Sequence, residues 1–370
     1  MGIKNFTKFL KDKYPNCFKQ IHISEYSEKK IGIESHLFLY KFKCAQFSTG
    51  YTTKKNTQNW KIQIMYFLLS LRKFNVHPVI IFEGMNKPDA KSDTVKHRIE
   101  QRQKAKQRIQ MLHDLYKMIL KKQDIPREFI LTLSGLGQDT SIFPELYKKM
   151  SSSSISDDDL DTTTMSKRDL LLNKHPALKV IKNEIEKMEK RTICITNDDI
   201  DTLRMICNGI GVKYIQAPCE AEAYLCRLRN NGKIDAVMTD DSDVCAYGCD
   251  AWLTKYTFKQ YNEDGMTNTV YKCDINEICQ EMGLTKDQFM DLCVLCGTDY
   301  CENPKNLGPV KLLKLIKENN YKEKLWNDEY EDAKNIFLTQ GVCETYPNIE
   351  CEDSPKKIRD FLYTHISLVE

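Results

Sequence analysis

The sequence predicts an α/β fold, a mainly parallel sheet flanked by helices. Three observations carry that expectation: apolar runs of strand length that end in carboxylates, helical periodicity between them, and glycine or proline at the joins. Lys30–Glu34 reads as a short strand ending on Glu34. Residues 58–74 carry Trp60, Ile64, Phe67, Leu68 and Leu71 at helical spacing. His77–Phe82 is a near-continuous apolar run, as expected of a strand buried on both faces, and Glu83 follows it. Strand, helix and strand in this order imply a right-handed crossover, and therefore parallel pairing.

From 87 to 122 the pattern is that of a long helix, basic in its first half. Residues 151–161 (SSSSISDDDLD) are polar and acidic with almost nothing to bury, so a solvated loop or disorder is expected there. Helical character returns at 178–190 and again at 201–208, the latter closed by Gly209 and Gly211. Residues 212–215 read as a strand, and Pro218 is expected to open a helix running through Glu220, Glu222 and Leu225. A buried strand at 235–239 leads into the acidic turn Asp240-Asp-Ser-Asp243. Residues 286–295 are helical and run into Gly297-Thr-Asp299. Asn306-Leu-Gly-Pro309 then breaks into a basic helix at 310–317.

Composition narrows the classes without choosing among them. The chain has 370 residues, enough for two domains or one domain with insertions, with 41% hydrophobic and 29% charged residues, an ordinary soluble balance. The net charge of +3 means that a nucleic-acid role must rest on where the charges lie, not on their sum. Fifteen cysteines are scattered and odd in number, so buried free thiols in a reducing compartment are expected. Cys293-x-x-Cys296, with Cys301 nearby, lacks a second pair at zinc spacing, and Phe6 stands where a myristoylation signal needs Ser or Thr. The N-terminal stretch is unlike a secretory leader and no apolar run has membrane-spanning length, so no membrane partner is expected.

The chemistry points to acids. Glu34, Glu83, Glu220, Glu222, Asp241 and Asp243 fall just past strand ends or at helix starts, the edge at which parallel α/β sheets place their sites, and Asp299 follows the helix at 286–295. Asp241 and Asp243, two apart, would project to one side of an extended backbone. Glu220 and Glu222 converge only if they occupy an irregular first turn. So many carboxylates in one pocket would repel without a cation, and oxygen-only donors suit Mg²⁺ or Mn²⁺. Two such ions roughly 3.5–4 Å apart can activate a water and stabilise the leaving oxygen of a phosphodiester. Helix caps and surface charges are the bland alternative for any one of these acids.

With these residues in view, the sequence resembles the flap endonuclease/XPG (RAD2-like) family of structure-specific 5′ nucleases. MGIKNFTKFL, Pro218-Cys-Glu-Ala-Glu-Ala223, Thr239-Asp-Asp-Ser-Asp243 and Gly297-Thr-Asp-Tyr-Cys301 look like its signature blocks, and Leu307-Gly-Pro309 with the following helix like its helix-two-turn-helix. The likeness covers roughly residues 1–108 and 193–363. It implies a PIN-like fold with a helical arch and a C-terminal helix-two-turn-helix region. It divides the chain into an N-terminal nuclease half with a basic gateway helix (1–108), an unmatched helical and acidic insertion (109–192), an internal nuclease half (193–300) and the C-terminal region (301–370). It also implies a DNA endonuclease or 5′ exonuclease with two Mg²⁺, replaceable by Mn²⁺, held by the seven acids. Glu34 and Glu83 stand where the family has aspartate, which either sets the backbone back or weakens the first metal position.

The resemblance assigns Lys91 and Arg98, seven apart and so on one helical face, to gripping the scissile phosphate, within a basic run that includes Lys96, Arg102, Lys104, Lys106 and Arg108. It assigns Tyr40 to base stacking near the cut. Asn306, Gly308, Lys311 and Lys314 would hold the uncut duplex by its phosphates, with K⁺ on loop carbonyls. Asn306 replaces a family glycine, and asparagine tolerates left-handed backbone better than other residues. The expected partner is DNA with a 5′ flap, nick or junction, bound by a monomer in the nucleus. The ending Ser367-Leu-Val-Glu370 carries no sliding-clamp docking motif. Two rivals remain at this point, a catalytically impaired junction binder and a 5′→3′ exoribonuclease of related fold.

Overall fold

The structure, a computed structural model, describes residues 2–46, 59–85, 91–121, 176–258, 267–318, 320–351 and 358–360. The acidic run at 151–161 and the ending at 367–370 lie outside the described residues. The chain divides into two units, one of Met1–Phe42, Thr53–Thr94 and Ile195–Glu370, the other of Lys43–Thr52 and Val95–Cys194.

The first unit is built on a seven-stranded sheet. Its strands are β1 (Phe18–His22), β2 (Lys30–Glu34), β3 (His77–Phe82), β4 (Lys213–Gln216), β5 (Ala236–Met238), β6 (Trp252–Thr257) and β7 (Thr269–Cys273). Their spatial order is β1-β7-β6-β5-β2-β3-β4. The five strands from β6 to β4 pair in parallel, and only β7 and β1 add antiparallel partners at one edge. In the central strand Ile33 sits opposite Ile80 on one side and Met238 on the other.

Side-chain alternation in β3 shows why the sheet is covered on both faces. Val79 and Ile81 enter one buried cluster, with α1 (Phe6–Lys13) and α7 (Ala221–Asn230). Ile80 and Phe82 enter the other, with α2 (Ser35–Gln46), α3 (Asn59–Lys73) and α6 (Asn197–Ile210). Period-two alternation within an unbroken apolar run gives this two-sided burial. All five residues read as the apolar face of α3 (Trp60, Ile64, Phe67, Leu68, Leu71) are buried.

Three local expectations are corrected. α6 begins at Asn197 rather than 201, because Thr196 and Asp199 form a capping box, and it runs through Gly209 to end at Gly211 in left-handed conformation. Pro218 does not open α7. Glu220 is its N-cap in extended conformation, so the proline lies in the loop ahead of the helix. Asp241 and Asp243 do not share an extended strand, since β5 ends at Met238 and Asp243 starts the short helix α8 (Asp243–Ala246).

Beyond the sheet lie α9 (Ile275–Met282), α10 (Lys286–Leu295), α11 (Pro309–Lys317), α12 (Tyr321–Leu325) and α13 (Asp328–Thr339). The second unit takes in most of α4 (Ser92–Leu120) and α5 (Pro176–Thr192), joined through Leu112, Leu115, Ile181 and Ile185. Arg108 is buried in this helix pair and forms an ion pair with Glu184 at 3.3 Å. It therefore leaves the exposed basic run in which the sequence placed it. None of the fifteen cysteines, all among the described residues, forms a disulfide, and Cys293 and Cys296 belong to the apolar core. No described helix is long and apolar enough to cross a membrane.

Candidate active site

Four neighbouring parallel strands end in acids or lead into them within a few residues. Glu34 closes β2, Glu83 follows β3, Glu220 and Glu222 follow β4, and Asp241 and Asp243 follow β5. The chain reaches β3 and β4 on one side of β2, then returns to place β5 on the other side. Open α/β sheets bind ligands at the carboxyl ends of strands beside such a reversal. Close backbone contact supports the arrangement. The Gly84 amide donates to the Cys219 carbonyl at 2.8 Å, and a Cβ at Gly84 would lie 2.4 Å from that oxygen.

The two glutamates that replace family aspartates have defined partners. Glu34 Oε1 accepts the amide of His36 at 2.8 Å and Oε2 that of Leu37 at 2.7 Å, which caps the start of α2. Glu83 Oε2 accepts the amide of Ala221, the first residue of α7, at 3.1 Å. Each carboxylate thus reaches the amides of a helix start, where partial positive charge favours it. Cap and site are here the same residues.

Glu220 lies ahead of α7 and Glu222 in its first turn, which is the irregular placement that convergence required. Tyr300 donates its hydroxyl to Glu220, and Tyr247 and Gln340 complete a buried network around that phenol. Lys91 sits just before α4, with its ammonium on Glu220 and 3.3 Å from Asp299. Burial works against the charge on Lys91, but Glu220 and Asp299 outweigh it and hold the ammonium above the usual lysine range. The Thr94 hydroxyl donates to the Asp299 carbonyl at 3.1 Å and ties down the same segment.

The other acids repel one another. Burial, then Glu83 and Asp241, push the Glu222 carboxyl up to about 8. Burial, then Glu222 and Glu83, raise Glu34 well above the carboxylate range. Asp243 is raised likewise by burial and then by Asp241, Asp299 and Glu222. Asp240 is the contrast. Burial alone would raise it, yet Lys41 at 2.9 Å and the Lys255 amide hold its carboxyl at about 2. It faces a lysine pair, while its neighbours face one another.

Among the described residues, only Glu34, His36 and Glu83 bring donor atoms within 4.8 Å of one another as a group of three, while the acids around Asp243 interact at longer range. Asp243 Oδ1 is buried and accepts no hydrogen bond, an orphan acceptor of the kind a metal satisfies. Oxygen donors from Asp241, Asp243, Glu220, Glu222 and Asp299 suit Mg²⁺ or Mn²⁺. A ring nitrogen of His36 lies within 4.8 Å of the nearest oxygens of Glu34 and Glu83, which lie within that distance of each other. Sequence reasoning missed His36 and gave Tyr300 no role. The available signal was a histidine two residues past a strand-end acid.

The remaining assigned residues lie on α2, on α4 and in α11 with the loop before it. Tyr40 is half-buried on α2. Arg98 and Arg102 are half-buried on the part of α4 that belongs to the second unit. Lys91 precedes that helix, so the seven-residue helical spacing does not apply to the pair. Asn306 adopts φ of 64°, the left-handed backbone that a replaced glycine demands. Gly308 caps α11, whose Leu312 and Ile316 are buried while Lys311 and Lys314 are exposed.

Fold and site together define a PIN-like α/β protein with a carboxylate-rich centre. Comparison with known proteins agrees. Profiles of the XPG N-terminal domain and the XPG I-region match residues 1–105 and 211–299, together just over half of the chain. A probable RAD2-like endonuclease, 369L, of Invertebrate iridescent virus 6 is 28% identical over 86% of this chain and 71% of its own length. Flap endonuclease 1 of Xiphophorus maculatus is 25% identical over 93% and 77%. Among solved structures, the catalytic core of Rad2 in complex with DNA substrate superposes with a TM-score of 0.55 at 15% identity, covering 98% of this chain and 94% of that one. Flap endonuclease-1 from Methanococcus jannaschii gives 0.54 at 16% identity, covering 95% and 92%. The chain belongs to the XPG/flap endonuclease family.

Proposed function

We propose that this protein is a metal-dependent 5′ nuclease that hydrolyses phosphodiester bonds of DNA at flaps, nicks or junctions. Family membership supports the coarser part, a structure-specific nuclease acting on DNA. One observation supports the rest: acids follow four neighbouring parallel strands and act on one another electrostatically, with Lys91 between Glu220 and Asp299. Asp241, Asp243, Glu220, Glu222 and Asp299 would hold Mg²⁺ or Mn²⁺, with Glu34 and Glu83 at the other side of the cluster. Bound there, the ions would supply an activated water and offset charge on the leaving oxygen.

The chain's own groups do the positioning. Tyr300 fixes one oxygen of Glu220 and Lys91 meets the other, so this carboxylate has little rotational freedom. Lys91 is also the cation that a phosphate oxygen would meet, since its charge is kept fully protonated by Glu220 and Asp299. Arg98, Arg102 and Tyr40 would grip and stack the strand being cut. Asn306, Gly308, Lys311 and Lys314 would hold the uncut duplex by its phosphates, with K⁺ on the loop carbonyls, a contact that reads shape and not sequence. The same reading assigns the protein, acting as a monomer, to DNA repair, replication or recombination in the nucleus.

Purified protein with Mg²⁺ or Mn²⁺ should cut a panel of 5′-flap, nicked and four-way-junction DNA, and Asp241→Asn should abolish cutting. Absence of cleavage in both metals would leave a junction-binding protein instead. Preference for a matched RNA 5′ strand would indicate an exoribonuclease.

A further inference from the structure

We infer that His36 is a metal ligand, and that Glu34, His36 and Glu83 form a mixed nitrogen and oxygen position that prefers Mn²⁺ and other first-row transition ions to Mg²⁺. The three donor atoms lie within 4.8 Å of one another. Ligands about 2.1 Å from a shared ion are roughly 3 to 4 Å apart, so closure onto a cation takes side-chain movements of up to about 1 Å for each atom.

The surroundings are those of a built site. Glu34 is buried and each of its oxygens accepts one helix-start amide, which fixes the carboxylate plane while leaving lone pairs on both oxygens. Glu83 is anchored through Oε2 on Ala221. His36 Nδ1 lies 3.2 Å from the hydroxyl of buried Ser35. Metal-bound histidines usually have their second nitrogen held in this way, which sets both tautomer and ring direction. The chemistry follows from the donors. Mg²⁺ takes oxygen ligands and retains water, whereas imidazole suits transition ions. An all-carboxylate position would show little such discrimination. His36 therefore separates this position from the oxygen-only set around Asp241 and Asp243.

The assignment deepens the nuclease reading and depends on it only for its effect on cleavage. Metal binding to the full chain, freed of metal by chelation, is measured by calorimetry with Mn²⁺ and with Mg²⁺, alongside pulsed electron paramagnetic resonance of bound Mn²⁺. Wild type should show nitrogen hyperfine coupling. His36→Gln should lose it and bind Mn²⁺ at this position at least about 10-fold more weakly, the lower end of what losing a mere supporting group costs, with Mg²⁺ affinity nearly unchanged. Glu83→Gln should weaken Mn²⁺ at the same position. Absence of nitrogen coupling in wild type overturns the inference whatever the variants do, so a variant that fails to fold does not protect it. Equal losses of Mn²⁺ and Mg²⁺ affinity in a folded His36→Gln protein overturn it as well. Nitrogen coupling in a protein that cuts no DNA keeps the metal assignment and sinks the nuclease reading.

Discussion

At the scale of single residues, the site is a set of short contacts with little slack. Gly2 has φ of 84°, and a Cβ there would lie 2.1 Å from Asp241 Oδ1 and 2.7 Å from Ser242 Oγ. Gly2→Ala is therefore expected to displace Asp241 and lower kcat at least tenfold while affinity for DNA stays near wild type. Cleavage kinetics with a binding measurement in a non-catalytic ion check this. Equal kcat would show that the N-terminal segment yields instead. Tyr300→Phe removes the hydroxyl that Glu220 accepts but keeps the ring against Phe337, whose centroid is 5.1 Å away. It should cost about 1–3 kcal/mol of stability, since a buried carboxylate loses a donor. It should also reduce kcat more than KM. Thermal melts and steady-state kinetics read the two effects separately.

Between elements, buried polar joints and left-handed turns do work that apolar packing does not. Lys334 on α13 reaches Asp287 at 2.5 Å and fully buried Asp291 at 2.8 Å on α10, while Tyr321 of α12 donates to Asp291 at 2.5 Å. Removing one partner of a buried ion pair typically costs about 3–5 kcal/mol, because the other charge is left uncompensated. Lys334→Ala should fall at the lower end of that range, as Lys322 remains 3.7 Å from Asp291. Denaturant unfolding would show it, and a cost below about 1 kcal/mol would mean that solvent reaches Asp291. At the next joint, Lys311→Ala with Lys314→Ala should weaken nicked-duplex binding and flatten its salt dependence by up to about two phosphate contacts. The rate at saturating DNA should be retained. An unchanged salt slope would remove α11 from the DNA interface.

Across the whole molecule, the gathered acids couple stability to pH and to metal. Glu222, whose folded carboxyl sits at about 8, binds a proton more tightly folded than unfolded, and Glu34 and Asp243 shift in the same direction. Protons are then released on unfolding wherever the pH lies between the unfolded and folded values. Stability contributed by these groups is fully present below about pH 4, and it is lost as pH rises through about 8. Metal-free protein should accordingly melt at a lower temperature at pH 8 than at pH 5. Saturating Mn²⁺ should reverse that slope by binding the charged forms. A metal-free melting temperature that rises over this interval would show that the cluster is not buried in solution.

Much of this was legible before any coordinates. β2, β3 and α10 fall where their apolar runs and caps place them, because burial on both faces and capping are written in adjacent residues. Asn306 likewise announced its left-handed backbone. Six of the acids were visible just past strands or at helix starts. Their placement at one edge was not, since it depends on the order β5-β2-β3-β4, set by pairings between distant segments such as Ile31 with Ala236. Tertiary structure alone decided that Glu83 accepts the first amide of α7, and that it meets Glu34 and His36. It also turned Asp240 toward Lys41 and buried Arg108 against Glu184. Sequence periodicity fixes which face of an element is apolar. The partner that a charged side chain meets is fixed by which elements become neighbours, and long-range packing chooses those.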